Sequence, residues 1–275
     1  MRCTIRESLY KCGDYLEANI YPVYSKGITR AKKRKATPDC QQKLNEKNAE
    51  RKLIRLANAN FTERDLKVEL TYSPEHNPET DDEANRQLRN FLRRVKRYRD
   101  SHGLSPLKYI AVTERGKKKG RYHHHLIMSG EMSLFDLVQL WGLGIVGTDM
   151  LQFNENGLAD LVTYMMKQPR NAVNEKRYTR SRNLVEPEPR QRDGRLIKRE
   201  VVELAKDTEN VRAFEKLYDG YFFAGAQVVH NDINGGIYIY ARYYRKEAAF
   251  CNQKKKSSRS RSFAGRTSCS TNTRN

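Results

Sequence analysis

The chain has 275 residues, with 53 lysines and arginines against 33 aspartates and glutamates, a formal net charge of +20. Only 37% of residues are hydrophobic, leaner than the roughly 45–50% of ordinary globular chains with glycine counted. No apolar stretch approaches the roughly 18–20 residues that span a bilayer, and Met1-Arg2-Cys3-Thr4 opens no hydrophobic leader, so a soluble intracellular protein is expected.

An excess of this size suits a polyanion, with nucleic acid ahead of an anionic membrane surface. The five cysteines (Cys3, Cys12, Cys40, Cys251, Cys269) are scattered and form no CxxC pair. That argues against a disulfide framework and against a cysteine zinc site.

In chain order, Tyr15–Tyr24 is aromatic and β-branched enough for a strand, broken by Pro22. Lys26 to Arg55 holds eleven basic and three acidic residues, and its first part is too basic to be core. Asp39–Ala59 reads as a polar helix behind Pro38. Leu66–Tyr72 alternates: Leu66, Val68, Leu70 and Tyr72 share one face, Lys67, Glu69 and Thr71 the other, which predicts a half-buried strand. Glu83–Arg99 carries Leu88, Phe91, Leu92, Val95 and Tyr98 at helical spacing. Its basic faces, with Arg86, Arg89, Arg93, Arg94, Lys96, Arg97 and Arg99, suit either solvent or phosphate.

Lys108–Glu114 and Tyr122–Met128 are two strands joined by the basic turn Arg115-Gly-Lys117-Lys118-Lys119-Gly-Arg121, an antiparallel hairpin. Ser133 caps a short helix, Leu134–Trp141, and a glycine-rich stretch to Gly147 follows. A helix over Gly157–Gln168 is stopped by Pro169. Arg170–Arg199 reads as a polar excursion, Glu200–Leu217 as one helix, and Gly220–Val229 with Ile237–Arg245 as a terminal hairpin. The tail from Cys251 has seven basic residues and no acid, the composition of a disordered, phosphate-clinging segment. The fold class is α+β, with a central, mostly antiparallel sheet flanked by helices.

The residues richest in chemistry are Arg121-Tyr-His-His-His-Leu-Ile-Met128. Strand geometry alternates side chains, so His123 and His125 point one way and His124 the other. Two aligned imidazoles suit a divalent cation, the alternative being histidines at a strand edge with no metal. Glu114 ends the partner strand, close to Tyr122 and His123 across the hairpin, and offers the carboxylate oxygen that Mg²⁺ or Mn²⁺ prefers. Its alternative is a solvated turn residue paired with a lysine. On the helix over Gly157–Gln168, Leu158, Leu161, Val162 and Met165 form the apolar stripe, with Tyr164 to one side and Lys167 one turn on. A neighbouring cation favours the phenolate as nucleophile, but the same spacing fits a tyrosine at a core edge. No G-x-x-x-x-G-K-[ST] loop occurs, so no nucleotide cofactor or motor is expected.

The order Val68-Glu-Leu-Thr-Tyr72, Glu114, His123-His-His125, then Tyr164-Met-Met-Lys167 resembles the HUH endonucleases. Within them it is most similar to the rolling-circle replication-associated proteins of small bacterial single-stranded DNA viruses, phages and plasmids. The position between the metal-facing histidines is His124, a mild departure from that pattern, and the family's third ligand varies. The segment Arg177–Leu184 also looks like one from that viral branch.

The resemblance implies an RRM-like sheet and a single-tyrosine nickase acting on single-stranded DNA at a replication origin. His123 and His125, with Glu114, would hold Mg²⁺ or Mn²⁺. Tyr164 would take the 5′ end as a phosphotyrosine and free a 3′ hydroxyl primer, and Lys167 would steady the phosphate. Arg115, Lys117, Lys118, Lys119, Arg121, Arg93, Arg94 and Arg97 would grip DNA. A host polymerase and helicase would be partners, in the cytoplasm of a bacterial host. The organisation expected is a basic strand and polar helix over 1–60, the endonuclease domain over 61–250, and the tail over 251–275. A relaxase or single-tyrosine transposase of the same superfamily shares these residues. A non-catalytic single-strand binder, using Tyr238, Tyr240, Tyr243 and Tyr244 as stacking surfaces, is the alternative of another class.

Overall fold

The structure, a computed structural model, describes residues 3–24, 38–116, 120–167, 177–231 and 234–246. The Lys26–Lys35 cluster, Lys117, Lys118, Lys119, Pro169 and the 251–275 tail lie outside the described residues.

The chain opens with β1 (Cys3–Cys12) turning at Gly13 into β2 (Tyr15–Tyr24), paired antiparallel along their whole length. Pro22 does not break β2, because it pairs with Ile5 of β1, while the ladder on the other side stops at Ile20, before a residue with no N–H to offer. Helix α1 (Pro38–Asn60) follows, then β3 (Leu66–Thr71) and α2 (Asp81–Ser101), whose N-cap Thr80 accepts from the Glu83 N–H. The hairpin β4 (Tyr109–Arg115) and β5 (Tyr122–Met128) leads to α3 (Leu134–Trp141), closed by the reciprocal Ser133–Asp136 capping box.

Beyond the glycine-rich stretch, β6 (Val146–Met150) is a strand that the sequence pattern did not announce, and α4 (Ala159–Met165) comes next. The segment read as a polar excursion contains β7 (Thr179–Arg180) and β8 (Arg190–Asp193). The single helix expected over Glu200–Leu217 is two, α5 (Lys198–Lys206) and α6 (Val211–Glu215). Between them Asp207 accepts from the Glu209 N–H and Asn210 caps α6 through the Ala213 N–H. Short polar side chains that bond their own backbone compete with helix continuation. The hairpin β9 (Tyr221–Asn231) and β10 (Gly236–Arg245) ends the fold.

The α+β class with antiparallel pairing holds, and the strands divide between two five-stranded sheets. One has the order β6-β3-β5-β4-β7, the other β8-β1-β2-β10-β9. The second thus joins both ends of the chain. Three apolar clusters stack these sheets with helices. Leu88, Phe91, Val95, Leu137 and Trp141 of α2 and α3 cover one face of the first sheet through Val68, Leu70 and Leu126. The other face, through Ile110, Val112 and Ile127, meets α1 and α4 (Leu53, Leu56, Leu158, Val162) together with Cys12, Tyr15 and Tyr244 of the second sheet. The far face of the second sheet packs on α5 and α6 through Leu16, Ile20, Val201 and Phe214. Helices α1 and α4 therefore form a shared layer between the sheets.

Two buried charges brace the arrangement. Arg99 is fully buried, although its place among the basic residues of α2 suggested a solvent or phosphate contact. Its guanidinium donates to the Gly130 and Ser105 carbonyls and to Glu131, clamping the end of α2 to the turn after β5. Glu7 of β1 is also fully buried and accepts from Arg195 and the Tyr218 hydroxyl.

Candidate active site

Register decides which side chains of the first sheet meet. β5 pairs with β3 and β4 so that His125 faces Glu69 and Val112, and His123 faces Thr71 and Glu114. By parity all six residues share the face toward the α1–α4 layer. His124 points to the opposite face, as its strand position requires. It is buried among Tyr72 and Trp141, with ring centroids at 5.5 and 5.8 Å in edge-on contacts.

Its hydrogen bonds form a chain in which each donor is used once. Tyr72 donates to His124 Nε2 at 2.7 Å, His124 Nδ1 to Thr113 at 3.0 Å, and Thr113 to Asn85 at 3.2 Å. Burial, with His125 and His123 nearby, drives the His124 pKa down to about 3, so this imidazole is neutral at ordinary pH. It is a strut that fixes β5 between its neighbours, and so orients the flanking histidines.

On the site face, Glu114 Oε2 lies 3.4 Å from His125 Nε2. Burial lowers the His125 pKa, opposed by Glu69 and then Glu114, which keeps its nitrogens free to act as electron-pair donors. The Nδ1 atoms of both His123 and His125 are buried without a hydrogen-bond partner. Unsatisfied buried nitrogens are uncommon in folded chains. Two imidazoles and a carboxylate are donors that Mg²⁺ or Mn²⁺ accepts, so the residues fit such an ion. The structure gathers His125 and Glu114 into a pair. His123 shares their face but does not close a three-ligand group with them, and the described residues contain no such group.

Helix α4 brings Tyr164 to this face. Gly157 turns the chain into the helix at φ +62°, and a Cβ there would stand 2.2 Å from Asn58 Oδ1. That oxygen accepts the Leu158 N–H at 3.0 Å, so α1 holds the start of α4. Leu158, Ala159, Val162 and Met165 are buried against α1, which turns Tyr164 outward. Its ring meets His125 edge-on, with centroids 5.7 Å apart, and the residue is 54% exposed, open to a large substrate. The cation near its ring is Lys67 of β3, with Nζ 5.9 Å from the centroid. Lys167, expected in that place, meets Tyr164 through the backbone, its N–H bonded to the Tyr164 carbonyl at 3.3 Å.

Lys67 and Glu69 are the site-facing residues that motif reading passed over. Their signal was the polar face of the alternating strand, but the partner of that face was set by register.

The remaining basic residues are spread out. Arg115 lies over the Tyr122 ring at 5.4 Å, and Arg121 is exposed. Arg93 and Arg97 are exposed on α2, which covers the sheet face opposite the histidine pair. Arg94 is engaged structurally, donating to the Leu140 and Trp141 carbonyls at the end of α3. Of the four tyrosines considered as stacking surfaces, Tyr243 and Tyr244 are buried, and Tyr238 stacks on Tyr21. Tyr240 lies beneath the Arg51 guanidinium.

Fold and site together define an α+β protein with an exposed tyrosine poised against a histidine–carboxylate pair, under a strongly basic exterior. Residues 65–169 match the model of the replication-associated protein ORF2 family, a span running from β3 through α4 that contains Glu114, both histidines and Tyr164. The match agrees with the resemblance to rolling-circle initiators drawn from motif order, and supports a replication-initiator role. No curated protein and no solved structure matches the chain. No helix among the described residues is long and apolar enough to cross a membrane.

Proposed function

We propose that the protein starts rolling-circle replication by nicking single-stranded DNA at an origin, with Tyr164 as nucleophile and Mg²⁺ or Mn²⁺ as cofactor. The observation that carries this reading is the position of His125. It lies 3.4 Å from the Glu114 carboxylate and in ring contact with Tyr164, so a phosphate held at the imidazole–carboxylate cluster lies within reach of the phenol.

His123, His125 and Glu114 would hold the ion, which supplies positive charge to the scissile phosphate. The Tyr164 oxygen attacks phosphorus, the bond to the 3′ oxygen breaks, and the phenol proton passes to solvent as the leaving oxygen takes one up. The 5′ end stays on Tyr164 as a phosphodiester, and the freed 3′ hydroxyl primes a host polymerase. Lys67 and Lys167 supply positive charge on either side of the phenol. Strand separation falls to a host helicase, and the setting is a bacterial cytoplasm. The acid-free tail and the basic turn would hold DNA through phosphates without reading its sequence.

The test is to incubate the protein with single-stranded DNA carrying its replicon's origin and Mn²⁺, then denature. A covalent protein–DNA adduct is expected, lost with chelator and in Tyr164→Phe. An adduct that survives in Tyr164→Phe would refute the nucleophile assignment.

A further inference from the structure

A second polar cavity lies in the α1–α4 layer, on the side of the second sheet. Its volume is about 250 Å³, just below the roughly 300–1,000 Å³ of most ligand pockets and suited to one ring system. Helix α4 links it to the candidate site. Thr163, next to Tyr164, is in its wall and donates to Glu50 at 2.7 Å.

The cavity is built around Glu17 of β2, which is 2% exposed. One of its oxygens accepts from the Tyr15 hydroxyl, and the other, Oε1, has no hydrogen-bond partner. The nearest cation to Oε1 is Arg55, at 3.9 Å. A carboxylate buried at this depth with an idle oxygen is costly, and an N–H from a ligand would relieve it. Lys47, Arg51 and Arg242 line the same cavity. Arg51 lies flat on the Tyr240 ring, 3.4 Å from its centroid, and donates to Gln227. A guanidinium held in plane is a platform on which a base can stack, and the other two cations suit a phosphate.

We propose that this cavity is a base-reading subsite that takes a cytosine of the single strand near the nick and so contributes to origin choice. The proposal rests on the reading of the protein as a single-strand nickase. Glu17 Oε1 accepts the cytosine amino group, the pairing by which carboxylates read that base. Thymine sets a carbonyl oxygen in the same place, which the carboxylate repels, and the volume disfavours purines. Such a pocket gives the second sheet, which lies outside the family-matched span, a part in recognition.

The experiment uses the full-length Tyr164→Phe protein with chelator, so that no cleavage intervenes, and fluorescence anisotropy with labelled dC, dT and dA oligomers of equal length. Oligo-dC should bind about tenfold more tightly than oligo-dT, the worth of one charge-assisted hydrogen bond. Glu17→Gln should erase that gap and leave oligo-dT affinity unchanged. Ala226→Phe, which fills the cavity from β9 without touching Glu17, should do the same if Glu17→Gln does not fold. Equal binding of dC and dT, tighter binding of dA, or a dC preference that survives both variants would overturn the subsite. Failure to bind any of the three oligomers would instead refute the underlying single-strand reading.

Discussion

The histidine-bearing sheet draws its strands from residues 66–180, whereas its neighbour closes the chain on itself, pairing strands from 3–24 with strands from 221–245. The two sheets treat buried polarity differently. In the second sheet Glu7 is fully buried but satisfied, held by Arg195 and the Tyr218 hydroxyl. In the first sheet the inner face leaves the Nδ1 atoms of His123 and His125 idle beside an exposed tyrosine. Satisfied buried charge fixes one arrangement, while unsatisfied donors beside an open side chain mark places where something else binds. Glu17 is the exception within the second sheet, and for that reason its cavity stands out.

If this division holds, changes in the first sheet should remove activity at little cost in stability, and changes in the second should do the reverse. The largest effect is expected at His123. His123→Ala should lower adduct formation by orders of magnitude and weaken Mn²⁺ binding measured by calorimetry. Thermal unfolding should shift little, because the side chain is only partly buried and its Nδ1 has no partner to lose. Unchanged Mn²⁺ affinity would remove His123 from the ligand set.

Next comes Arg195→Met, which leaves Glu7 as a buried charge without its cation. A loss of about 3–5 kcal/mol is expected by chemical denaturation at neutral pH. Burial pushes the Glu7 carboxyl up, but the bonds from Arg195 and Tyr218 outweigh it and hold its pKa below the ordinary range. The stability from this pairing is therefore present above the unfolded carboxyl value and is lost as pH falls through the folded one. The gap between wild type and Arg195→Met should narrow on acidification below about pH 4.5. A gap that widens would contradict the pairing.

A smaller effect is expected at the seam. Gly157→Ala forces a side chain into a left-handed turn against Asn58, at a cost of about 1–3 kcal/mol. Because α4 hangs from that turn, adduct yield should fall as well, even where the protein remains folded. Normal yield would show that Tyr164 does not depend on the Asn58–Leu158 bond for its position.

Much of the first sheet was legible in the sequence because its signals are local. Leu66–Tyr72 alternates with one face buried, the β4–β5 hairpin brackets a basic turn, and α2 has a clean apolar stripe. The second sheet was harder to read. β1 buries Glu7, Ser8 and Leu9 in succession, so no alternation shows, and its glutamate reads as a surface residue until Arg195 is placed beside it. β7 and β8 are two and four residues long and owe their existence to partners far away in sequence. The same limit applies at the site. Parity aligns His123 with His125, and the short hairpin brings Glu114 to them. Which lysine stands over Tyr164 depends on how α4 docks across β3, so Lys67 occupies the place expected of Lys167.

The central claim is that Tyr164 carries the cleaved strand. The most direct measurement is peptide mapping by mass spectrometry of the adduct formed with origin single-stranded DNA and Mn²⁺, after nuclease and protease digestion. The account predicts a residual 5′-linked nucleotide on the peptide containing Tyr164, attached at that residue and absent when chelator is present. A nucleotide on another tyrosine, or a nicked strand with no protein attached, would contradict it.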